Sequence, residues 1–203
     1  MNERITNVMD ALKKRKIACS YYGNRKEAAV RLLEMIPENS VIGIGGSVTV
    51  QELNIQNALQ EKGCQVYWHW LVKEEEMDSV RHRAMSADIY LCSTNAVTEN
   101  GLLVNIDGIG NRVAAMIFGP PKVFIVAGKN KIAKDLVGAL RRIKDTACPQ
   151  NGRRLHKNTP CANTGKCNDC KSEDRMCNIT TIIEGNPKSL ALHVLIVGED
   201  MGF

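Results

Sequence analysis

Four thiols, Cys161, Cys167, Cys170 and Cys177, fall within one polar segment of the 203-residue chain with the spacing C-x5-C-x2-C-x6-C. Thiolates are soft ligands, and the two-residue gap from Cys167 to Cys170 lets a single turn aim both sulfurs at one centre. The run from Cys148 to Asn178, CPQNGRRLHKNTPCANTGKCNDCKSEDRMCN, is rich in polar residues, Gly and Pro and too poor in apolar side chains to bury itself. Metal ligation is what would order such a segment. All-thiolate ligation suits a [4Fe-4S] cluster or a structural Zn²⁺, and the spacing is neither the bacterial ferredoxin run nor the paired C-x2-C of a zinc ribbon. Because the thiols share one irregular loop instead of two knuckles, the iron–sulfur cluster is the first expectation and zinc the alternative. Two disulfides or unligated thiols are the third reading. Cys19, Cys64, Cys92 and Cys148 stand apart in the sequence and read as buried structural thiols.

A second set of chemistry-bearing residues lies between two apolar runs at 89–92 and 123–126. Asn95, Thr98, Glu99, Asn100, Asn105, Asp107, Asn111 and Arg112 crowd that interval, with Gly101, Gly108 and Gly110 to let the backbone turn. Polar side chains gathered beyond the end of a buried strand point to a binding site. Arg112, with Asp107 and Asn111, suits a carboxylate or phosphate because a guanidinium grips an oxyanion through two parallel N–H donors; a salt bridge between Arg112 and Asp107 is the equal alternative. A third stretch, Gly45-Gly46-Ser47-Val48-Thr49, follows the apolar run 41–44 and precedes a helical pattern reaching about Glu61. That order presents backbone N–H groups to an anion, which makes Gly45, Gly46, Ser47 and Thr49 candidate ligand contacts. The glycines have neither P-loop nor dinucleotide-fingerprint spacing, and Thr49 with Glu52 reads alternatively as a capping box. His69, between Trp68 and Trp70, is read as a packed edge histidine ahead of a ligand contact.

The elements that would carry these residues follow from periodicity. Ile5, Val8, Met9 and Leu12 repeat at helical spacing, and Asn24 with Glu27 opens a second helix whose apolar face is Ala29, Leu32, Leu33 and Ile36. Short apolar runs at 18–22, 41–44, 64–70, 89–92 and 123–126 read as strands buried on both faces. Helical patterns intervene at Met77, Val80 and Ala84 and at Ala133, Leu136, Val137 and Leu140, the last expected to end before Pro149. Strand and helix therefore alternate, as in an α/β domain with a mostly parallel central sheet flanked by helices. Both polar turns then lie at the carboxyl ends of strands and share one cleft. The runs 179–183 and 192–197 are expected to add strands to the main sheet. The whole of 1–203 is thus one domain, with 148–178 a cysteine-rich insertion before the last strands.

Composition bounds the setting. A hydrophobic content of 44% supports a full core, and no run approaches the ~18 apolar residues of a membrane span. The N-terminus is charged throughout rather than basic and then apolar, so a soluble cytoplasmic protein is expected. The net charge of +5 is scattered, and no aromatic-interleaved basic motif accompanies Lys13-Lys14-Arg15-Lys16, so nucleic acid is not an expected partner, nor is a membrane.

With these residues in view the chain resembles the LUD-domain family, the group related to lactate utilisation protein C. The resemblance rests on GGSVTVQEL from Gly45, on ADIYLCSTNAVTENGLLVNIDGIGNRVAAMIFGP from Ala87, and on the cysteine-bearing end through ITTIIEG. It implies the sugar-phosphate isomerase and CoA-transferase type of α/β fold and a role in organic-acid, lactate-type utilisation with iron–sulfur oxidoreductase partners. A small anionic metabolite is the implied ligand, and self-association is compatible with it. Glu99-Asn100-Gly101 is similar to the Glu-Asn-Gly motif that places a nucleophilic glutamate in class I CoA-transferases. Glu99 is accordingly a candidate catalytic residue of a transferase or isomerase, with N–H groups near Gly101 for an oxyanion. Against it stands a plain hairpin turn, since Asn-Gly commonly joins two strands. A non-catalytic, zinc-stapled binding or regulatory module is the remaining class.

Overall fold

The computed structural model describes residues 2–203. The chain opens with helix α1 (Glu3–Lys14), capped by the Asn2 side chain on the Ile5 N–H. Strand β1 (Ala18–Tyr22) and helix α2 (Arg25–Glu34) follow, α2 opening as expected with Asn24 accepting from the Glu27 N–H. Next come β2 (Val41–Ile44), α3 (Val48–Gln51), α4 (Gln56–Glu61), β3 (Gln65–Trp68) and α5 (Met77–Met85). The centre of the chain supplies β4 (Ile89–Ser93), β5 (Ala96–Thr98), β6 (Leu103–Asp107), α6 (Asn111–Ile117), β7 (Lys122–Gly128) and β8 (Ile132–Ala133). It closes with α7 (Leu136–Arg142), α8 (Cys148–Arg154), α9 (Pro160–Thr164), β9 (Ile179–Ile183) and β10 (Ala191–Val197).

Six strands form one sheet in the order β1-β10-β7-β4-β2-β3, and every pairing in it is parallel. The fold class is the expected one. Alternation along its strands explains the continuous apolar runs. Tyr90 and Cys92 of β4, Val123 and Ile125 of β7 and Val194 and Ile196 of β10 pack to one face with Ile5, Val8 and Leu12 of α1. Ile89, Leu91, Phe124, Val126, Leu195 and Val197 pack to the other with Leu32 of α2 and Leu59 of α4. A strand buried on both faces cannot alternate in polarity, so its signal is a solid apolar run.

Gly43 shows how closely a helix lies on this sheet. A Cβ there would overlap the Ala84 carbonyl oxygen of α5 and come within 2.8 Å of Tyr90 Cδ2. Since a backbone atom cannot swing aside, Gly43→Ala is expected to lower unfolding free energy by about 1–3 kcal/mol in urea titration. An unchanged midpoint would show that α5 shifts freely.

Four expectations need correction. Residues 179–183 do not join the main sheet: β9 pairs antiparallel with β6 in a second, four-stranded sheet ordered β8-β5-β6-β9. Periodicity marks 179–183 as a strand but does not say which strand it pairs with. The helix expected from Thr49 to Glu61 is two, α3 and α4, and the cap of α3 is Ser47, whose hydroxyl accepts from Val50 N–H at 3.2 Å. Glu52 is therefore not half of a capping box; it accepts from the Gly202 N–H and faces Arg25. The helix after β8 does not stop before Pro149 but runs through a π turn, Ile143–Ala147, into α8. That wider turn changes the register just where proline has no N–H to give. Finally, residues 148–178 carry α8 and α9 and bury Cys148, Pro149, Gly152 and Cys161. No helix among the described residues is long and apolar enough to cross a membrane.

Candidate functional site

Beyond the carboxyl ends of β2, β3, β4 and β7 lies a cleft of about 700 Å³. Four short segments that leave those strands form much of its wall: Gly46–Thr49, His69–Trp70, Ser93–Asn95 and Lys131. Ile106–Ile109, Asn111 and Arg112 supply a second wall, and Cys148, Asn151, Arg154 and residues 173–176 close the third. Of the residues singled out in the sequence, Gly46, Ser47, Thr49, Asn95, Asp107, Asn111 and Arg112 come together here. Gly45 sits behind them, where a Cβ would press on the Tyr90 hydroxyl.

Thr98, Glu99, Asn100 and Gly101 are not brought to the cleft. They form the turn between β5 and β6, with Gly101 at φ +84° and its N–H on the Thr98 carbonyl. The Thr98 hydroxyl accepts from Leu102 N–H and donates to Asn100 Oδ1. Glu99 pairs with Arg4 of α1 at 2.6 Å on the protein surface. The hairpin alternative thus accounts for all four residues.

Arg112 resolves toward its internal alternative. Its Nε donates to Asp107 Oδ1 at 2.9 Å, one Nη to the Ser93 carbonyl and Asn105 Oδ1, and the other to Asn95 Oδ1, the Ile106 carbonyl and Asp107. Every N–H of the guanidinium is occupied by the protein. Asp107 in turn accepts from the Val113 N–H at the start of α6. This knot ties the end of β4, the body of β6 and α6 into one rigid wall, so Arg112 positions the site.

The cation that sequence reading missed is Lys131, which is 3% exposed and donates to Thr49 Oγ1 at 2.8 Å and Ser93 Oγ at 2.9 Å. Its only sequence signal is its place just after a buried parallel strand. Arg154 borders the same cleft, stacked 4.7 Å over the Trp70 ring and hydrogen-bonded to Asn151. Together with Arg81, Lys157 and Arg175 these groups make the cleft basic, offset in part by Asp107, Glu173 and Asp174. A basic cleft favours an anionic occupant.

His69 is buried against Gly46 and meets Trp70 edge-on, so it is both a packed histidine and part of the cleft wall. Burial, reinforced by Arg81 and Arg154, pushes its pKa down to about 4. A base depressed below its unfolded value of about 6.5 is neutral in the fold and charged in the unfolded chain between the two. Stability is therefore expected to fall as pH drops from about 6.5 toward 4, and His69→Gln to flatten that slope in denaturation midpoints. Parallel slopes for the two proteins would assign the acid sensitivity elsewhere.

Behind the third wall lies a smaller void of about 20 Å³ lined by five thiols: Cys148, Cys161, Cys167, Cys170 and Cys177. Cys148, read from sequence as a lone structural thiol, is thus part of the cluster, its Sγ 3.3 Å from that of Cys177. The π turn that carries the helix past Ala147 delivers it there. Cys19, Cys64 and Cys92 stay apart, as expected of packing thiols. The Cys148 contact, then Lys144 and Arg175, hold Cys177 down to about 6, while Cys148 is pushed up by that contact and by burial. One thiolate beside cations is the chemistry a thiophilic centre needs. Among the described residues no three His, Cys, Asp or Glu side chains are already gathered round a single ion position. Arg175 braces the loop by donating to the Cys170 and Cys177 carbonyls and pairing with Asp169. Cys148, Arg175 and Met176 border both the void and the cleft, so a wall one side chain thick separates them.

No curated protein matches the chain. Among solved structures it is similar to a DUF162 family protein from Deinococcus radiodurans, with 13% identity, a TM-score of 0.56 and coverage of 97% of each chain. At that identity the likeness speaks to the fold. The LUD domain model matches residues 5–197, which takes in both sheets, the cleft and the cysteine segment. The chain belongs to the LUD domain family.

Proposed function

We propose that this LUD-domain protein serves lactate-type organic-acid utilisation, binding a small anionic metabolite in the basic cleft and an iron–sulfur cluster in the thiol-lined void. The observation that carries the reading is the shared wall: Cys148, Arg175 and Met176 face both spaces. The donor set suits the group in kind, since five sulfurs line one space, a thiolate is favoured at Cys177, and Lys144 and Arg175 offset negative charge; the void of about 20 Å³ has to open to admit a cluster. A tetrahedral zinc would draw four sulfurs to about 3.8 Å from one another, given Zn–S bonds of about 2.3 Å. Cys148 and Cys177 already lie 3.3 Å apart, so zinc stays the alternative occupant of the same thiols.

When bound, a [4Fe-4S] cluster supplies one-electron transfer. The chain's own residues do the rest. The Arg112 knot fixes one cleft wall, Trp70 and Arg154 stack on each other in the lining, and Arg175 braces the cysteine loop beside it. An iron–sulfur oxidoreductase would be the partner that exchanges electrons. A glutamyl-thioester role for Glu99 is not carried forward, because Glu99 lies outside the cleft in an ion pair with Arg4.

Anaerobically purified protein is expected to be brown, and added lactate to perturb the absorption and electron-spin spectra of the cluster. A cluster whose spectra ignore lactate and related 2-hydroxy acids would contradict the coupling of the two sites.

A further inference from the structure

A cation removed from water is ordinarily found beside a carboxylate, because an unpaired buried charge is strongly unfavourable. Lys131 has no such partner: no ion pair joins it to any Asp or Glu among the described residues. Its two contacts are hydroxyls, and each hydroxyl sends its own hydrogen to a backbone carbonyl, Thr49 to Met201 at 3.4 Å and Ser93 to Thr94 at 3.2 Å. Both oxygens therefore act as acceptors toward Nζ. Two N–H groups of Lys131 are used, and one valence of the nitrogen is left over at the cleft.

The surroundings sharpen the demand for an anion. Arg142 and Arg112 are the charged groups that act most on Lys131, with Glu52 and Cys92 weaker and opposite. Burial followed by the two arginines holds the amine down to about 7. Arg112 has no N–H to spare, and Arg142, which donates to the Asn130 and Asn95 carbonyls, does not line the cleft. Lys131 is thus the unfilled donor on the strand-end side of the cleft.

Building on the anionic-ligand reading of the cleft, we propose that Lys131 anchors the carboxylate of a small monoanionic metabolite, the ligand supplying the counter-charge that the fold omits. A carboxylate fits better than a phosphate dianion, because one N–H direction is free and the hydrogens of the two nearest hydroxyls are committed.

The test is thermal unfolding of the full chain with D- and L-lactate, with neutral lactamide as the isostere, and with inorganic phosphate. Lactate at about ten times its dissociation constant is expected to raise the midpoint by roughly 3–6 °C, and lactamide to leave it unchanged. Lys131→Met is expected to melt at or above the unliganded wild type, since an unpaired buried charge has been replaced by an apolar chain, and to lose the lactate shift. A purely structural lysine would not give that pairing of gained stability with lost response. A lactate shift retained in Lys131→Met overturns the anchor while leaving the cleft reading intact. No shift with either lactate or phosphate in the wild type overturns both, and a shift with phosphate alone overturns the carboxylate anchor while leaving an anionic cleft. Should Lys131→Met fail to fold, acylation of wild-type Lys131 by an N-hydroxysuccinimide ester, read by peptide mass spectrometry, decides. Lactate is expected to slow it about fivefold or more, as occupancy near nine-tenths requires, and an unchanged rate overturns the anchor.

Discussion

Arg112→Leu is expected to lower the unfolding free energy by about 3–5 kcal/mol, the largest effect of any single polar substitution in this chain. The side chain and its partner Asp107 are each about 10% exposed, so the deletion strands a carboxylate away from water. It also takes a donor from the Ser93 and Ile106 carbonyls and from the Asn95 and Asn105 amide oxygens, which keep the backbone N–H groups of Ile106 and Asn95 respectively. Urea denaturation of Arg112→Leu, Asp107→Asn and the double variant isolates the pair: the double variant should be less destabilised than the sum of the singles. Additive losses would mean that the two residues act independently. The exposed pair Arg31 and Glu34, at 2.7 Å, makes the contrast, since its charges stay hydrated and its removal should be near neutral.

The second large effect concerns the thiols. Replacing Cys167 and Cys170 together by alanine is expected to abolish the brown colour and reduce bound iron from about four atoms per chain to a small residue. The six-stranded sheet should survive, because neither residue belongs to the hydrophobic clusters that hold it. Far-ultraviolet circular dichroism checks the fold and iron analysis the loss. Cys148→Ala discriminates further. Its Sγ touches that of Cys177, so iron content should fall if Cys148 is a ligand and hold if the four thiols from Cys161 onward suffice. Iron retained in the Cys167→Ala/Cys170→Ala protein would remove the void from the account.

Sequence and structure agree most where burial writes its signature directly. The parallel sheet was legible because Tyr90 and Leu91 of β4 and Val123 and Val126 of β7 put apolar side chains on both faces of their strands. The meeting of Gly46–Thr49 with Asn95, Asp107, Asn111 and Arg112 follows from strand direction, whereas the turn at 98–101 points elsewhere. What sequence could not show was long-range pairing. Nothing in the local pattern says that Arg112 would take five partners from two segments, or that Arg4 would reach Glu99 across 95 residues. Lys131 carries no mark of its burial in the sequence, because periodicity does not report depth. Cys148 was missed for a different reason. A helix expected to end at Pro149 would leave it at a frayed terminus, whereas the π turn carries the helix on and turns the thiol into the void. Short strands such as β8, of two residues, depend on neighbours for their existence and leave no mark of their own.

Metal and sulfide content of the full chain, purified without oxygen, bears most directly on the shared wall of thiol void and cleft. About four irons and about four acid-labile sulfides per chain, with broad absorption in the visible range, is the predicted result. Colourless protein carrying one zinc per chain, or carrying five reduced thiols and no metal after anaerobic reconstitution with iron and sulfide, would contradict it.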